Sequence, residues 1–233
     1  NGGMLVTIAD DPSMHSSQNE QDSRVYAKFA MIPILEPSNQ QEAYEMVRFG
    51  FELSEACGTP VMIRITTRLA HSRAGITRAT DIVDENELCL PEDKQRFILL
   101  PGIARKRYKV LLGNQANFDA ASEDSPFNQY FDGKDKSLGV VACGIAYNYL
   151  MENYPNGDCP FPVLKLSQYP LPRTKVTKLV EECDKVLVLE DGYPVVEEML
   201  KGYLENDKVI GRLDGTLSRD GELNPDMVGA ALG

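Results

Sequence analysis

The stretch MIPILEPSNQQEAYEMVRFGFELSEACGTPVMIRIT, residues 31–66, decides the fold. Its two ends, residues 31–35 and 61–66, are short apolar runs rich in β-branched residues and bounded by Pro, Gly and acids, which predicts buried strands. Between them Ser38 is expected to cap a helix, with Gln41 completing a capping box. Ala43, Met46, Val47, Gly50, Leu53, Ser54 and Cys57 fall on one face of that helix, and Glu42, Glu45, Arg48, Glu52 and Glu55 on the other. Gly58 supplies a left-handed stop and Pro60 prevents continuation. Strand, helix, strand is the repeating unit of a parallel sheet, so the fold class is α/β.

Working outward, residues 5–9 read as a further buried strand, and residues 75–97 lose apolar periodicity and carry Asp81, Asp84, Glu85, Glu87, Glu92 and Asp93. That stretch is expected to be a linker. A helix is predicted over residues 102–121, with Arg105, Lys106, Arg107 and Lys109 as a solvated basic cluster. Alternation then resumes, with strands at residues 138–142, 163–166 and 186–189 and helices at 145–154 and 174–183. A helix with Pro194 in its first position places Val195, Val196, Met199, Leu200 and Tyr203 at helical spacing, and Asn224-Pro225-Asp226 opens a terminal helix. The second half should hold three or four strands. The domain division is residues 1–75, a linker at 76–100, and a second unit at 101–233.

Lys and Arg number 24 against 35 Asp and Glu, a net charge of −11, which argues against a nucleic-acid binder. With 42% hydrophobic and 25% charged residues, the chain is too apolar for disorder. No apolar run approaches a membrane span. The five cysteines lack paired metal-ligand spacing, so reduced thiols in a cytoplasmic protein are expected, with no metal site. The opening Asn1-Gly2-Gly3-Met4 runs at once into a strand, which suggests a piece of a larger protein; a tag remnant before Met4 is the alternative.

No phosphate-binding glycine loop and no nucleophile elbow occurs. Gly144 is read as a tight strand-to-helix turn rather than an anion site. The four Asp-Gly pairs at 132–133, 191–192, 214–215 and 220–221 are read as turn chemistry. The densest chemistry lies in residues 10–22, DDPSMHSSQNEQD, beyond a strand's C-terminal end, where open α/β sheets bind ligands. Residues 66–73, TTRLAHSR, occupy the matching place after another strand. Both histidines, His15 and His71, are therefore expected on one edge of one sheet, neither on an apolar face.

Several strings resemble the alpha subunit of indolepyruvate:ferredoxin oxidoreductase, a thiamine-diphosphate 2-oxoacid:ferredoxin oxidoreductase family. They are ADDPSMHSSQNEQD (9–22), LEPSNQQEAYEMVRFGFELSE (35–55) and PVMIRITTRLAHSR (60–73). In the second half SLGVVACGIAYNYL (137–150), VLKLSQYPLP (163–172), KVLVLEDGYPVVEEML (185–200) and DGELNPDMV (220–228) resemble its transketolase C-terminal-like domain. The resemblance implies that residues 1–75 are the C-terminal part of an α/β thiamine-pyrimidine-binding domain, and that residues 101–233 form the transketolase C-terminal-like domain with a mostly parallel sheet.

It further implies oxidative decarboxylation of aryl 2-oxoacids to acyl-CoA, with thiamine diphosphate and magnesium, iron–sulfur clusters, coenzyme A, ferredoxin and a beta subunit in the parent enzyme. A homodimer is compatible with it. The sequence departs from the whole family pattern: it lacks the upstream glutamate, a G-D-G…N motif and a C-x-x-C-x-x-C motif. The chain alone is therefore expected to bind none of these cofactors and to be inactive. His15, with Ser16, Ser17, Gln18 and Asn19, is the expected catalytic group, and Arg68, His71 and Arg73 are expected to contact substrate or an interface. The alternatives are a non-catalytic subunit-docking module, or a piece of another thiamine enzyme such as a transketolase or a 2-oxoacid dehydrogenase beta subunit.

Overall fold

The computed structural model describes residues 2–81, 87, 89–202, 207–212, 214–218 and 221–233. Strand β1 (Leu5–Asp10) is followed by α1 (Arg24–Ala30), β2 (Ile34–Leu35), α2 (Gln40–Cys57), β3 (Val61–Thr66) and α3 (Thr67–His71). After a 3-10 turn at Lys94–Phe97 come α4 (Pro101–Glu123), β4 (Gln129–Phe131), β5 (Gly139–Cys143), α5 (Ala146–Glu152) and β6 (Val163–Leu166). Then follow β7 (Gln168–Tyr169), α6 (Arg173–Glu182), β8 (Val186–Leu189), α7 (Val195–Lys201), β9 (Val209–Ile210) and α8 (Pro225–Leu232).

The strands form a four-stranded sheet, β1-β3-β2-β7, and a five-stranded sheet, β4-β6-β5-β8-β9. In the first, β1, β2 and β3 run parallel. Strand β7 comes from the second half of the sequence and pairs antiparallel with β2, Ile34 opposite Tyr169. In the second sheet only β4 is antiparallel. The fold is thus α/β with mixed, mostly parallel sheets, and the second half contributes more strands than the three or four expected. One apolar cluster joins the halves, packing Ala27, Ile34 and Met62 against Val141, Leu164, Leu166 and Val188.

Several local expectations are corrected. Strand β1 is an edge strand with Val6, Thr7 and Ala9 exposed, not a buried one. Only Ile34–Leu35 of residues 31–35 is strand, because Met31 adopts the left-handed conformation that ends α1, a helix the periodicity did not announce. The cap of α2 is Asn39, whose side chain accepts from the Glu42 N–H at 2.9 Å; Glu42 reaches back to the Ser38 N–H and hydroxyl. Glu42 is consequently buried and paired with Lys165, whereas Val47, placed inward by its spacing, is exposed. Gln41 instead bonds Glu45 and the backbone of Thr77.

The basic residues Arg105, Lys106 and Lys109 lie on the exposed side of α4. Pro194 is the cap of α7 rather than its first residue. Tyr203, Asp84, Glu85 and Asp220 lie outside the described residues. No helix among the described residues is long and apolar enough to cross a membrane.

Candidate functional site

Two acids end β1, and each organises a different structure. Asp10 points into the interior, where its Oδ2 accepts from the Ser23 N–H (2.8 Å), the Ser23 hydroxyl (2.9 Å) and Arg64 Nε (2.5 Å). Asp11 holds the loop that follows. Its carboxylate accepts the backbone N–H of His15 (3.2 Å), Ser16 (2.9 Å) and Ser17 (2.9 Å) and the hydroxyl of Thr67 (2.6 Å). The Thr67 hydroxyl and the Ser16 and Ser17 N–H groups hold the Asp11 carboxyl well below the usual carboxylate range. Ser13 and Met14, at φ 66° and 55°, take the left-handed conformation immediately before His15. Such backbone is unfavourable for residues with a Cβ and persists only where the surroundings impose it, most often at functional sites.

The loop delivers His15 to Glu222. Nε2 of His15 lies 3.1 Å from Glu222 Oε2, and Arg68, in α3, binds the same carboxylate twice, Nε to Oε1 at 3.0 Å and Nη2 to Oε2 at 2.6 Å. The guanidinium of Arg68 also sits over the Tyr149 ring, 5.9 Å from its centre. His15 remains 45% exposed, so an imidazole backed by a carboxylate faces outward at the C-terminal end of β1. This arrangement can move a proton or orient an anion.

Of the expected site residues, the structure brings His15 and Arg68 together. Ser16 and Ser17 contribute backbone N–H groups to the Asp11 turn. Gln18 and Asn19 are exposed, Asn19 accepting from Gln21 at 3.5 Å. His71 and Arg73 follow β3 as expected but are exposed and, among the described residues, form no ion pair.

Beneath the loop lies a charge network that the sequence reading missed. Arg64, in the centre of β3, binds Asp10 and Glu36 and donates from Nη2 to the Asp191 carbonyl at 2.8 Å. Arg24 pairs with Asp22 and with Glu190 (Nη1 to Oε2, 2.8 Å) and donates to the Tyr193 carbonyl. All six of Asp10, Asp22, Arg24, Glu36, Arg64 and Glu190 are at most 3% exposed, so the pairs must satisfy one another without water. Burial pushes the Asp22 carboxyl up, but Arg24 and Arg64 outweigh it and hold it at about 2. Glu190 also receives the N–H groups of Val196 and Glu197 at 3.0 Å each, anchoring the start of α7.

Asp191, read as a turn residue, is 1% exposed. One of its oxygens accepts from Leu223 N at 3.4 Å while the other, Oδ2, has no hydrogen-bond partner among the described residues. Its burial raises the carboxyl to about 6 against the pull of Arg64. Gly192, at φ 106°, lets Asp22 and Arg64 approach the backbone; a Cβ there would stand 2.8 Å from Asp22 Oδ2. Gly144 turns the chain at φ 48°, as expected, and its own N–H donates to the Leu166 carbonyl at 2.9 Å. Among the described residues no three His, Cys, Asp or Glu side chains converge to hold a metal, and the five cysteines are separate thiols.

No protein-family model matches the sequence. Curated relatives do. The indolepyruvate oxidoreductase subunit IorA of Methanothermobacter thermautotrophicus is 38% identical over 236 residues, spanning 99% of this chain and 38% of that protein. The chain is a homologue of part of this subunit. The IorA of Pyrococcus abyssi is 39% identical over 86% of the chain and 32% of its own length, and that of Archaeoglobus fulgidus 36% identical over 97% and 36%. The chain thus spans about a third of the length of the IorA subunits it matches.

Two solved structures share the fold. A 2-oxoglutarate:ferredoxin oxidoreductase from Magnetococcus marinus, with 2-oxoglutarate, coenzyme A and succinyl-CoA bound, superposes with a TM-score of 0.61 at 14% identity, covering 97% of this chain and 47% of that one. A split-gene transketolase gives a TM-score of 0.52 at 15% identity, covering 98% and 65%.

Proposed function

We propose that the chain serves as part of the alpha subunit of an enzyme that oxidatively decarboxylates aryl 2-oxoacids such as indolepyruvate to the acyl-CoA, with ferredoxin as electron acceptor. In this reading residues 1–75 are the end of a thiamine-pyrimidine-binding domain, residues 76–100 a linker, and residues 101–233 a transketolase C-terminal-like domain. The beta subunit and other domains of the alpha subunit are its partners. The observation that carries the reading is the loop at residues 11–17: a strained, Asp11-anchored turn that presents His15, in a chain similar along 99% of its length to an IorA subunit.

The described part offers no metal-ligand cluster, and no cysteine group suited to an iron–sulfur cluster. This reading assigns thiamine diphosphate, magnesium and the iron–sulfur clusters to other parts of the parent enzyme. What this chain's own residues supply is a carboxylate-backed imidazole on a held loop, with Arg68 fixing the carboxylate.

The test is reduction of ferredoxin or a viologen dye by the full-length subunit with its beta partner, given indolepyruvate and coenzyme A. Turnover with aryl 2-oxoacids, and none by the 233-residue chain alone, is expected. An assembled enzyme that oxidises no aryl 2-oxoacid overturns the proposal. A second reading, a docking module, is favoured by the apolar residues Val25, Tyr26 and Phe29 that α1 exposes, Phe29 at 87%. Retained activity in the full enzyme after His15→Ala would support that reading over a catalytic loop.

A further inference from the structure

A cavity of about 540 Å³ opens between α1, α4, α6 and α7, away from the His15 loop. Its volume is in the range of small-molecule sites. The floor is rigid: Ala27, Ile34, Phe118, Tyr169 and Val176 line it and are each at most 8% exposed. Met31, Ile32, Leu171 and Leu200 continue the apolar wall and are half-buried.

The polar groups are few and unevenly distributed. Arg24 contributes to the lining, but its three guanidinium nitrogens already donate to Asp22, Glu190 and the Tyr193 carbonyl. The Tyr169 hydroxyl is committed to Glu36 at 2.9 Å. The Gln115 amide nitrogen donates to the Met31 and Leu111 carbonyls, leaving its Oε1 as an acceptor on an otherwise apolar wall. Lys28 and Arg173 are exposed lining residues that form no ion pair among the described residues, against one lining acid, Asp119. In a chain of net charge −11, a cavity with an excess of unpaired cations is a local exception that selects for an anion.

We propose that this cavity binds an amphipathic carboxylate, its apolar body against Phe118 and Val176 and its acid group between Lys28 and Arg173. The assignment does not depend on the function proposed for the His15 loop. The acid group stays at the exposed edge, where desolvation is small, while the body gains from apolar burial. Lys28 belongs to α1 and Arg173 to α6, so the head group would bridge a helix from each half of the chain.

The experiment uses the 233-residue chain with ¹³C-labelled methionine methyls, since Met31 and Met199 line the cavity. Octanoate, octanol and octylamine are the probes, followed by calorimetry. Saturable shifts of Met31 and Met199 are expected with octanoate. Octanol should bind about three- to tenfold more weakly and octylamine weaker still, the scale of one or two exposed ion pairs. The Lys28→Gln/Arg173→Gln double variant should lose that preference while still binding octanol. Because the comparison among probes is made on the unaltered chain, it decides even if the variant fails to fold. No shift at Met31 or Met199, or equal affinity for octanoate and octanol, overturns the proposal.

Discussion

His15 and Glu222 meet at 3.1 Å across most of the length of the chain, and Arg68 holds the same carboxylate from a third segment. A carboxylate placed in this way fixes the orientation of a histidine ring. In the intact enzyme, His15→Ala is expected to lower kcat by about a hundredfold, the scale of a lost acid–base group. Glu222→Gln should lower it less, through loss of ring orientation, with partial rescue by Glu222→Asp. Steady-state rates on indolepyruvate provide the check; wild-type kcat for His15→Ala, with only a lower Tm, would make the loop structural.

Asp11 is the acceptor for three successive backbone N–H groups and the Thr67 hydroxyl. Asp11→Ala removes all of these acceptors at once. Amide hydrogen exchange at His15, Ser16 and Ser17 should accelerate by about tenfold or more, with little change in the two sheets. Unchanged protection at those three amides would show that the turn is held by other contacts.

Arg64 balances Asp10 and Glu36 where water cannot. Arg64→Met leaves two carboxylates without their cation, and unfolding in urea should show a loss of about 3–5 kcal/mol. Removing charge on both sides, with Arg64→Met and Glu36→Gln together, should recover part of it. Additive losses in that pair would contradict the coupling.

Asp191 titrates at about 6 in the folded chain, above the ordinary carboxylate value of 3.8, because burial disfavours its charge. A raised folded value means that stability is fully present below the ordinary value and is lost as pH rises through about 6. Asp191→Asn removes this loss, so its benefit should be larger at pH ~8 than at pH ~4, by on the order of 1–3 kcal/mol. Asp22 has the opposite sign: held at about 2, it contributes stability above the ordinary range that disappears as the pH falls towards 2. Thermal melts across this range would test both, and an equal effect of Asp191→Asn at the two pH values would refute the first.

Gly144 turns from β5 towards α5 at φ 48°, and a Cβ there would stand 2.5 Å from Glu36 Cγ. Glu36 cannot give way freely, since Arg64 and Tyr169 both hold its carboxylate. Gly144→Ala should therefore destabilise by about 2–4 kcal/mol, combining backbone strain with disturbance of a buried pair. A melt within a degree or two of wild type would show that Glu36 can move.

The strand–helix–strand unit was legible because α2 and β3 carry strong apolar periods and clear stop residues. What escaped was structure made by pairing at a distance. Met31 reads as part of an apolar run, yet it ends a helix that owes its place to Arg24 and the buried acids around it. Glu42 lies among polar residues by spacing, but Lys165, more than a hundred positions away, draws it inside. For the site, His15 and Arg68 stood out by composition, whereas Glu222 had no local signal at all. Arg64 did offer one: a lone cation in the apolar strand VMIRIT is costly to bury unless acids await it.

Strand β7 carries a consequence for cutting the molecule. Its two residues close the first sheet from the second half of the sequence, while the described residues from 72 to 81 contribute no strand to either sheet. A protease that nicks the chain there would leave two pieces still laced together by β2 and β7 and by the Arg24–Glu190 and Lys165–Glu42 pairs. The halves should co-elute after cleavage, and supplied as separate polypeptides they should reassemble as a split protein.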